Sequence, residues 1–420
     1  MTLSVGIEKM GFDVGIAKLD VRTLAEARGL DMHRFDNLMM VEKTVPMPFE
    51  DPVTFAVNAA RQVVDEMPAA ERSRIEMVIT CSESGIDFAK SMSTYVHDYL
   101  QLSRHCRLFE IKQACYCGTA GLQTAINFIL SQASPGARAL VIATDIARFF
   151  LKDDGDPLSE DWSYAEPSSG AGAVAMLVSD RPELLQIDVG ANGYYGYEVM
   201  DAWRPTPDVE AVDTDLSLMA YLECCEHAFR NYASVVSGAD LVSTFQQLAF
   251  HTPFGGMVKG AHRQMLRKLC QKGGDEVAED FERRVRPSLR YPQLVGNIMG
   301  ATLYLALAST LDHVEIDSPR RIGLFSYGSG CSSEFFSGVV TPRSREQIRR
   351  RQIAQALDRR TLLSQSEYDR LLRLNRNVAF GTRNMESDYR EFPHVFETAV
   401  GSGRLVLKRI HEYHREYEWC

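Results

Sequence analysis

The chain is poor in the features that mark most specialised proteins. Its nine cysteines, at 81, 106, 115, 117, 224, 225, 270, 331 and 420, are spread over 420 residues without a CxxC pair. That is too sparse for a disulfide framework and points to reduced thiols. The nearest approach to a zinc box, Cys224, Cys225 and His227, sets two ligands side by side, where they rarely close one tetrahedron, so no metal is expected. No stretch approaches the roughly 18 apolar residues that span a bilayer. The opening MTLSVGIEKMGFDVGIAKLD has neither the basic nor the apolar region of a signal peptide. Basic charge does not dominate: 46 Lys+Arg against 56 Asp+Glu leave a formal charge of −10, which argues against a nucleic-acid partner. The glycine clusters GAGA and SYGSGC fit neither GxGxxG opening a helix nor GxxxxGK[ST], so neither NAD nor ATP is expected. These absences together predict a cytoplasmic protein without cofactor or membrane segment.

What remains is ordinary for a folded enzyme: 45% apolar and 24% charged residues. The length allows two domains or one large α/β unit in two halves. Strand-like and helix-like segments alternate. RIEMVITCSES, CRLFEIKQAC, PGARALVIATDIA and GAGAVAMLVSD read as strands; MSTYVHDYLQ and TAGLQTAINFILSQ read as helices. This pattern predicts an α/β fold, and strands apolar on both faces predict a sheet buried between helical layers. ADLVSTFQQLAFHTPF reads as helix or strand leading to a polar loop. VGNIMGATLYLALAST then repeats the order of ACYCGTAGLQTAINFI. Cys115 and Asn297 each stand three positions before a glycine and an apolar helix. We therefore expect two similar halves, 1–180 and 181–420, each giving one wall of a site. The Arg-rich tail from about 341 is expected to form helices on the outside.

Five residues stand where chemistry is possible. Cys115 lies between a strand and a helix, where the positive end of the dipole favours thiolate; the same position also suits an inert buried thiol. Glu83 follows a buried strand, the usual place for ligand contact in α/β sheets and for proton transfer, though it equally suits a helix cap. His251, in FHTPFGG, either reaches into a cleft or bonds to backbone. Asn297 and Ser326 offer donors to a carbonyl oxygen and are also good turn residues.

Taken in order, CSESGID, KQACYCGTAGLQTA, VIATDIAR, EPSSGAGAVAM, FHTPFGGMVK, VGNIMGATLYLAL and FSYGSG resemble the 3-hydroxy-3-methylglutaryl-CoA synthase family, from the N-terminus to about residue 340. MMVEKTVPMPFEDPVTFAVNAA and FGTRNMESDYREFPHVFE are similar to the HMG-CoA-synthase-like enzymes of polyketide β-branching. The resemblance implies the thiolase fold, five layers αβαβα in two related halves. It implies a catalytic Glu83–Cys115–His251 set, with Asn297 and Ser326 holding the acceptor thioester. Cys117 stands where a smaller residue is commoner, and Cys331 follows SYGSG.

The implied reaction condenses an acetyl group with the β-ketone of an acceptor, both carried as phosphopantetheine thioesters on acyl carrier proteins, then hydrolyses the enzyme thioester. Backbone N–H groups beside Cys115 are expected to hold an oxyanion. Carriers are acidic, so a basic rim is expected: Lys259, Arg263, Arg267 and Lys268 on one helix, with Arg343, Arg345, Arg349, Arg350, Arg351, Arg359 and Arg360 as a second run or merely a solvated face. A homodimer is implied. The alternatives are a mevalonate-pathway synthase using acetyl-CoA and acetoacetyl-CoA, a non-catalytic thiolase-fold scaffold, and a ketoacyl synthase, whose chemistry usually lacks a glutamate base.

Overall fold

In the computed structural model, residues 3–149, 165–206 and 208–420 are described. Nine strands form one mixed sheet: β1 Gly6–Asp13, β2 Ile75–Cys81, β3 Arg107–Ile111, β4 Arg138–Ile146, β5 Ala171–Ser179, β6 Leu185–Gly196, β7 Gln247–Phe250, β8 Arg320–Gly328 and β9 Ser332–Val340. Their order is β7-β8-β9-β6-β1-β5-β4-β2-β3. Either side of the β6–β1 junction the topology repeats. In both arms the first strand lies antiparallel to the last, the last antiparallel to the one before it, and that one parallel to an earlier strand. Among the described residues the second arm has no counterpart of β3. Two residue pairs, Gly6 with Gln186 and Ile7 with Leu185, join the arms.

Alternation of side chains decides the layering. From the first arm, Met77, Ile79, Val141, Ala143, Val174 and Met176 face a shared core with helices α2 (Cys117–Leu130) and α5 (Thr302–His313). Their neighbours Val78, Leu140, Ile142 and Ala173 turn the other way, onto helix α1 (Pro52–Val64). From the second arm, Ile322, Leu324 and Phe336 join the shared core. Phe325, Tyr327 and Phe335 pack against α3 (Thr214–Val235) and α4 (Gly255–Cys270). The result is helix, sheet, central helices, sheet, helix. In the central layer the starts of α2 and α5 touch backbone to backbone: a Cβ on Gly118 would lie 2.2 Å from the Gly300 carbonyl oxygen. Only glycine permits that approach.

One open choice in the sequence is decided and one reading needs correction. The ambiguous run around residue 247 is a turn followed by the short strand β7, held parallel to β8. The tail is not purely helical or external. It carries helices at Pro342–Arg350 and Gln365–Leu374, but ends in a hairpin, Leu405–His411 and His414–Trp419. Leu405, Leu407 and Tyr417 of that hairpin enter the core beneath α1. Arg404 beside it reaches Asp13 at 2.7 Å and Glu50 at 3.1 Å. Burial of those aromatic and aliphatic residues outweighs the polar composition around them. Among the described residues no helix is long and apolar enough to cross a membrane.

Candidate active site

The repeated topology brings two strand ends together. Glu83 follows β2 and His251 follows β7, which occupy matching places in the two arms. Cys115 lies just before α2, and Asn297 just before the turn that opens α5. All four line one cleft of about 870 Å³, a size suited to an extended thioester arm.

Cys115 is partly exposed. The chain turns sharply before it, with Ala114 at φ 41°, a conformation that costs a non-glycine residue about 1 kcal/mol or more and is tolerated at functional sites. The thiol donates to Glu83 Oε2 at 3.8 Å, an arrangement that puts a nucleophilic atom beside one able to take a proton. The other oxygen, Oε1, accepts from Arg204 Nε at 2.8 Å. Behind Glu83 lies Asp145, fully buried on β4. Its Oδ1 accepts from Ser82 Oγ (2.8 Å), Glu83 N–H (2.9 Å) and Ser84 N–H (3.0 Å), while Oδ2 is buried without a partner among the described residues. Burial first, and then the charge of Glu83, push the Asp145 carboxyl up to about 7. Asp145 thus pins the backbone of the Glu83 loop while holding a proton more readily than an ordinary carboxylate.

His251 is 1% exposed. Its N–H donates to the Phe325 carbonyl at 2.8 Å and its carbonyl accepts from Tyr221 Oη at 2.6 Å. The ring Nδ1 has no partner among the described residues. Burial holds the imidazole down to about 3, so the ring is neutral at physiological pH and offers one N–H as donor. Asn297 Oδ1 accepts from Met299 N–H (3.0 Å) and Thr302 Oγ1 (2.9 Å). That fixes the amide and leaves Nδ2 as the donor for a ligand.

Several expectations fail here. Ser326 does not line the cleft; it is 1% exposed and its Oγ accepts from Thr119 at 2.8 Å, inside the central layer. Its place on β8 points it at α2 rather than at the opening. Lys259 also lies off the cleft, because its turn of α4 faces the Phe281 ring, 5.8 Å from the ammonium. Arg263, Arg267 and Lys268 do line the mouth, joined by Arg34, Lys112 and Arg204. The N–H groups of Tyr116 and Cys117 donate to the Gln113 and Ala114 carbonyls, so those two amides are engaged within the turn. Cys117 is buried beside Gly300, and burial drives its thiol well above the ordinary range. Cys331 sits 3.5 Å from Cys224 Sγ, away from the cleft. Cys225 meets Met265, and His227 stacks on Tyr195. The second arginine run is largely spent on ion pairs, among them Arg343–Glu183, Arg345–Glu315, Arg351–Glu66 and Arg360–Glu42. Sequence reading missed Asp145 and Arg204 altogether. Asp145 carried a usable signal, a lone acid inside an apolar strand; Arg204 carried none.

A thiol at a helix start, a carboxylate in contact with it and a neutral imidazole across a basic-rimmed cleft define an acyl-condensing transferase on a five-layered scaffold. The family models for hydroxymethylglutaryl-coenzyme A synthase N terminal and C terminal match residues 50–182 and 264–419. The chain is 59% identical to the polyketide biosynthesis 3-hydroxy-3-methylglutaryl-ACP synthase PksG of Bacillus subtilis (strain 168), over 99% of both chains. It is 34% identical to the hydroxymethylglutaryl-CoA synthase of Enterococcus faecalis, over 87% of this chain and 91% of the other. The structure of the curacin biosynthetic pathway HMG synthase in complex with acetyl donor-ACP superposes with a TM-score of 0.96 at 60% identity, covering 99% of this chain and 100% of that one. The chain belongs to the hydroxymethylglutaryl-CoA synthase family and has its thiolase-like fold.

Proposed function

We propose that the protein is an HMG-ACP synthase of polyketide β-branching, which joins an acetyl group to the β-ketone of a carrier-bound β-ketoacyl chain. Full-length identity of 59% with PksG, against 34% with the Enterococcus faecalis enzyme, is the observation that carries this reading. In it, Cys115 Sγ attacks the acetyl carbonyl carbon, the carbon–sulfur bond to phosphopantetheine breaks, and the Cys115 proton passes to the leaving sulfur, which departs as the thiol. Glu83 Oε2, already beside the sulfur, removes a proton from the acetyl methyl. The resulting carbon attacks the acceptor ketone. The neutral His251 ring donates a hydrogen bond to the ketone oxygen as it gains charge, that oxygen becomes the alcohol by taking up the proton that Glu83 removed, and Asn297 Nδ2 steadies an acceptor carbonyl. Water then cleaves the Cys115 thioester and leaves a free carboxylate on the product.

The basic mouth suits an acidic carrier and the phosphate of its arm; Arg263 and Arg267 are exposed on α4 at the rim. No organic cofactor or metal enters this chemistry. The protein acts in the cytoplasm in this reading, as a homodimer. The outermost strand β3, with Phe109 and Ile111 only partly covered at the end of the sheet, is the edge best suited to pair with a second copy. Steady-state kinetics with acetyl-carrier protein and acetyl-CoA as rival donors, and β-ketoacyl-carrier and acetoacetyl-CoA as rival acceptors, test the assignment. Higher kcat/KM with carrier substrates is expected; preference for the CoA pair would make the protein a mevalonate-type synthase.

A further inference from the structure

Outside the main sheet lies a two-stranded hairpin, Ala202–Thr206 with Val209–Val212. Its base is tied to the second arm. Buried Asp201 accepts from Tyr327 Oη at 2.6 Å and from Gly330 N–H at 2.8 Å, and Asp213 N–H donates to the Asp201 carbonyl at 2.9 Å. Its far end meets the C-terminal region, where Asp208 accepts from Phe380 N–H. Between these anchors Ala202, Trp203 and Arg204 form part of the cleft wall. Arg204 Nε is 2.8 Å from Glu83 Oε1, and the two side chains are only 15% and 13% exposed.

The two oxygens of Glu83 therefore have different partners: Oε1 takes the guanidinium, Oε2 takes the Cys115 thiol. A glutamate on a loop has three side-chain torsions to settle, and Asp145, the other carboxyl close by, bonds only its backbone. A charged partner held nearly dry is the contact that selects one orientation. We propose that Arg204 is a positioning residue for condensation: it holds Glu83 so that Oε2 faces the acyl carbon borne on Cys115, and so links the seating of the hairpin to a competent base.

The inference rests on the reading of Glu83 as the base, and one experiment separates the two. Full-length wild type, Arg204→Gln, Arg204→Lys, Glu83→Gln and the Glu83→Gln/Arg204→Gln double variant are loaded with acetyl from acetyl-pantetheine. Deuterium uptake by the Cys115-bound methyl group in D2O is then followed by mass spectrometry of the acetylated peptide. Arg204→Gln should still load with acetyl, losing far less in acetylation than in exchange, which should fall about 10²-fold, the cost of a small misplacement of a reacting group. Arg204→Lys should recover part of the loss through its charge, and the double variant should be no slower than Glu83→Gln alone. Wild-type exchange in Arg204→Gln, an additive loss in the double variant, or acetylation falling in step with exchange would each overturn the proposal while leaving Glu83 as base. Undiminished exchange in Glu83→Gln would overturn both.

Discussion

Neutralising the buried ring of His251 has a consequence for stability that can be worked through. In the unfolded chain this histidine titrates near 6.5; in the fold burial holds it down to about 3. Between those values the unfolded state binds a proton that the native ring refuses, so its contribution falls as pH drops through the window. One pH unit is worth about 1.4 kcal/mol. At pH 5.0, some 1.5 units below the unfolded value, the penalty is therefore about 2 kcal/mol, and at pH 7.5 it has vanished. Asp145 and Glu50, both pushed up to about 7 by burial, act in the opposite sense. They hold protons in the native state, so they stabilise it as pH falls from 7 towards the unfolded carboxylate range. The wild-type profile is thus a partial cancellation. His251→Gln removes one side of it and should gain about 2 kcal/mol on wild type between pH 7.5 and pH 5.0. Urea unfolding of both proteins at the two pH values measures the difference. Parallel profiles would mean that the ring is protonated in the fold, and the role of His251 as a neutral donor to the acceptor ketone would fail with it.

Further outcomes are expected. Glu83→Gln should still gain the mass of one acetyl group on the Cys115 peptide while condensation falls by about 10²-fold or more; loss of acetylation in folded protein would give Glu83 another role. Arg263→Glu with Arg267→Glu should raise KM for acetyl-carrier protein, most strongly at low salt, and leave acetyl-pantetheine nearly unaffected, because rim charges act mainly on association; equal losses would place both residues in the pocket itself. Gly118→Ala puts a Cβ 2.2 Å from the Gly300 carbonyl oxygen and should cost about 3 kcal/mol or more, read as a lower melting temperature or lost soluble protein.

The parts of the fold legible in the sequence are those governed by local pattern. RIEMVITC and ALVIATDI are strands because their apolar residues serve both faces of a covered sheet, and TAGLQTAINFIL is a helix because its apolar residues recur at helical spacing. The spacing shared by Cys115 and Asn297 was visible for the same reason. What escaped depends on distant partners. Asp145 meets Ser82, Glu83 and Ser84 across some sixty residues of chain, and Arg204 meets Glu83 across 121. Ser326 misled because a serine on a strand beside glycines gives no sign of which face it occupies, and here the face is set by Thr119. The hairpin at the C-terminus escaped because its charged residues pair with one another, as Arg409 does with Glu416 at 2.8 Å, and mask a strand pattern.

The junction between the two arms behaves as a gauge. Glu83 hangs from one arm and His251 from the other, and the sheet edges of the arms meet at Gly6–Gln186 and Ile7–Leu185, with Ile187 N–H donating to the Val5 carbonyl beside them. The gap across which a new carbon–carbon bond must form therefore depends on how the arms are registered, at this seam and where Gly118 meets Gly300 in the central layer. At Gly6 a Cβ would lie 2.0 Å from the Leu185 carbonyl oxygen, so any side chain there acts as a wedge. A shear introduced at that seam would surface as a catalytic defect in a protein whose cleft residues are all intact.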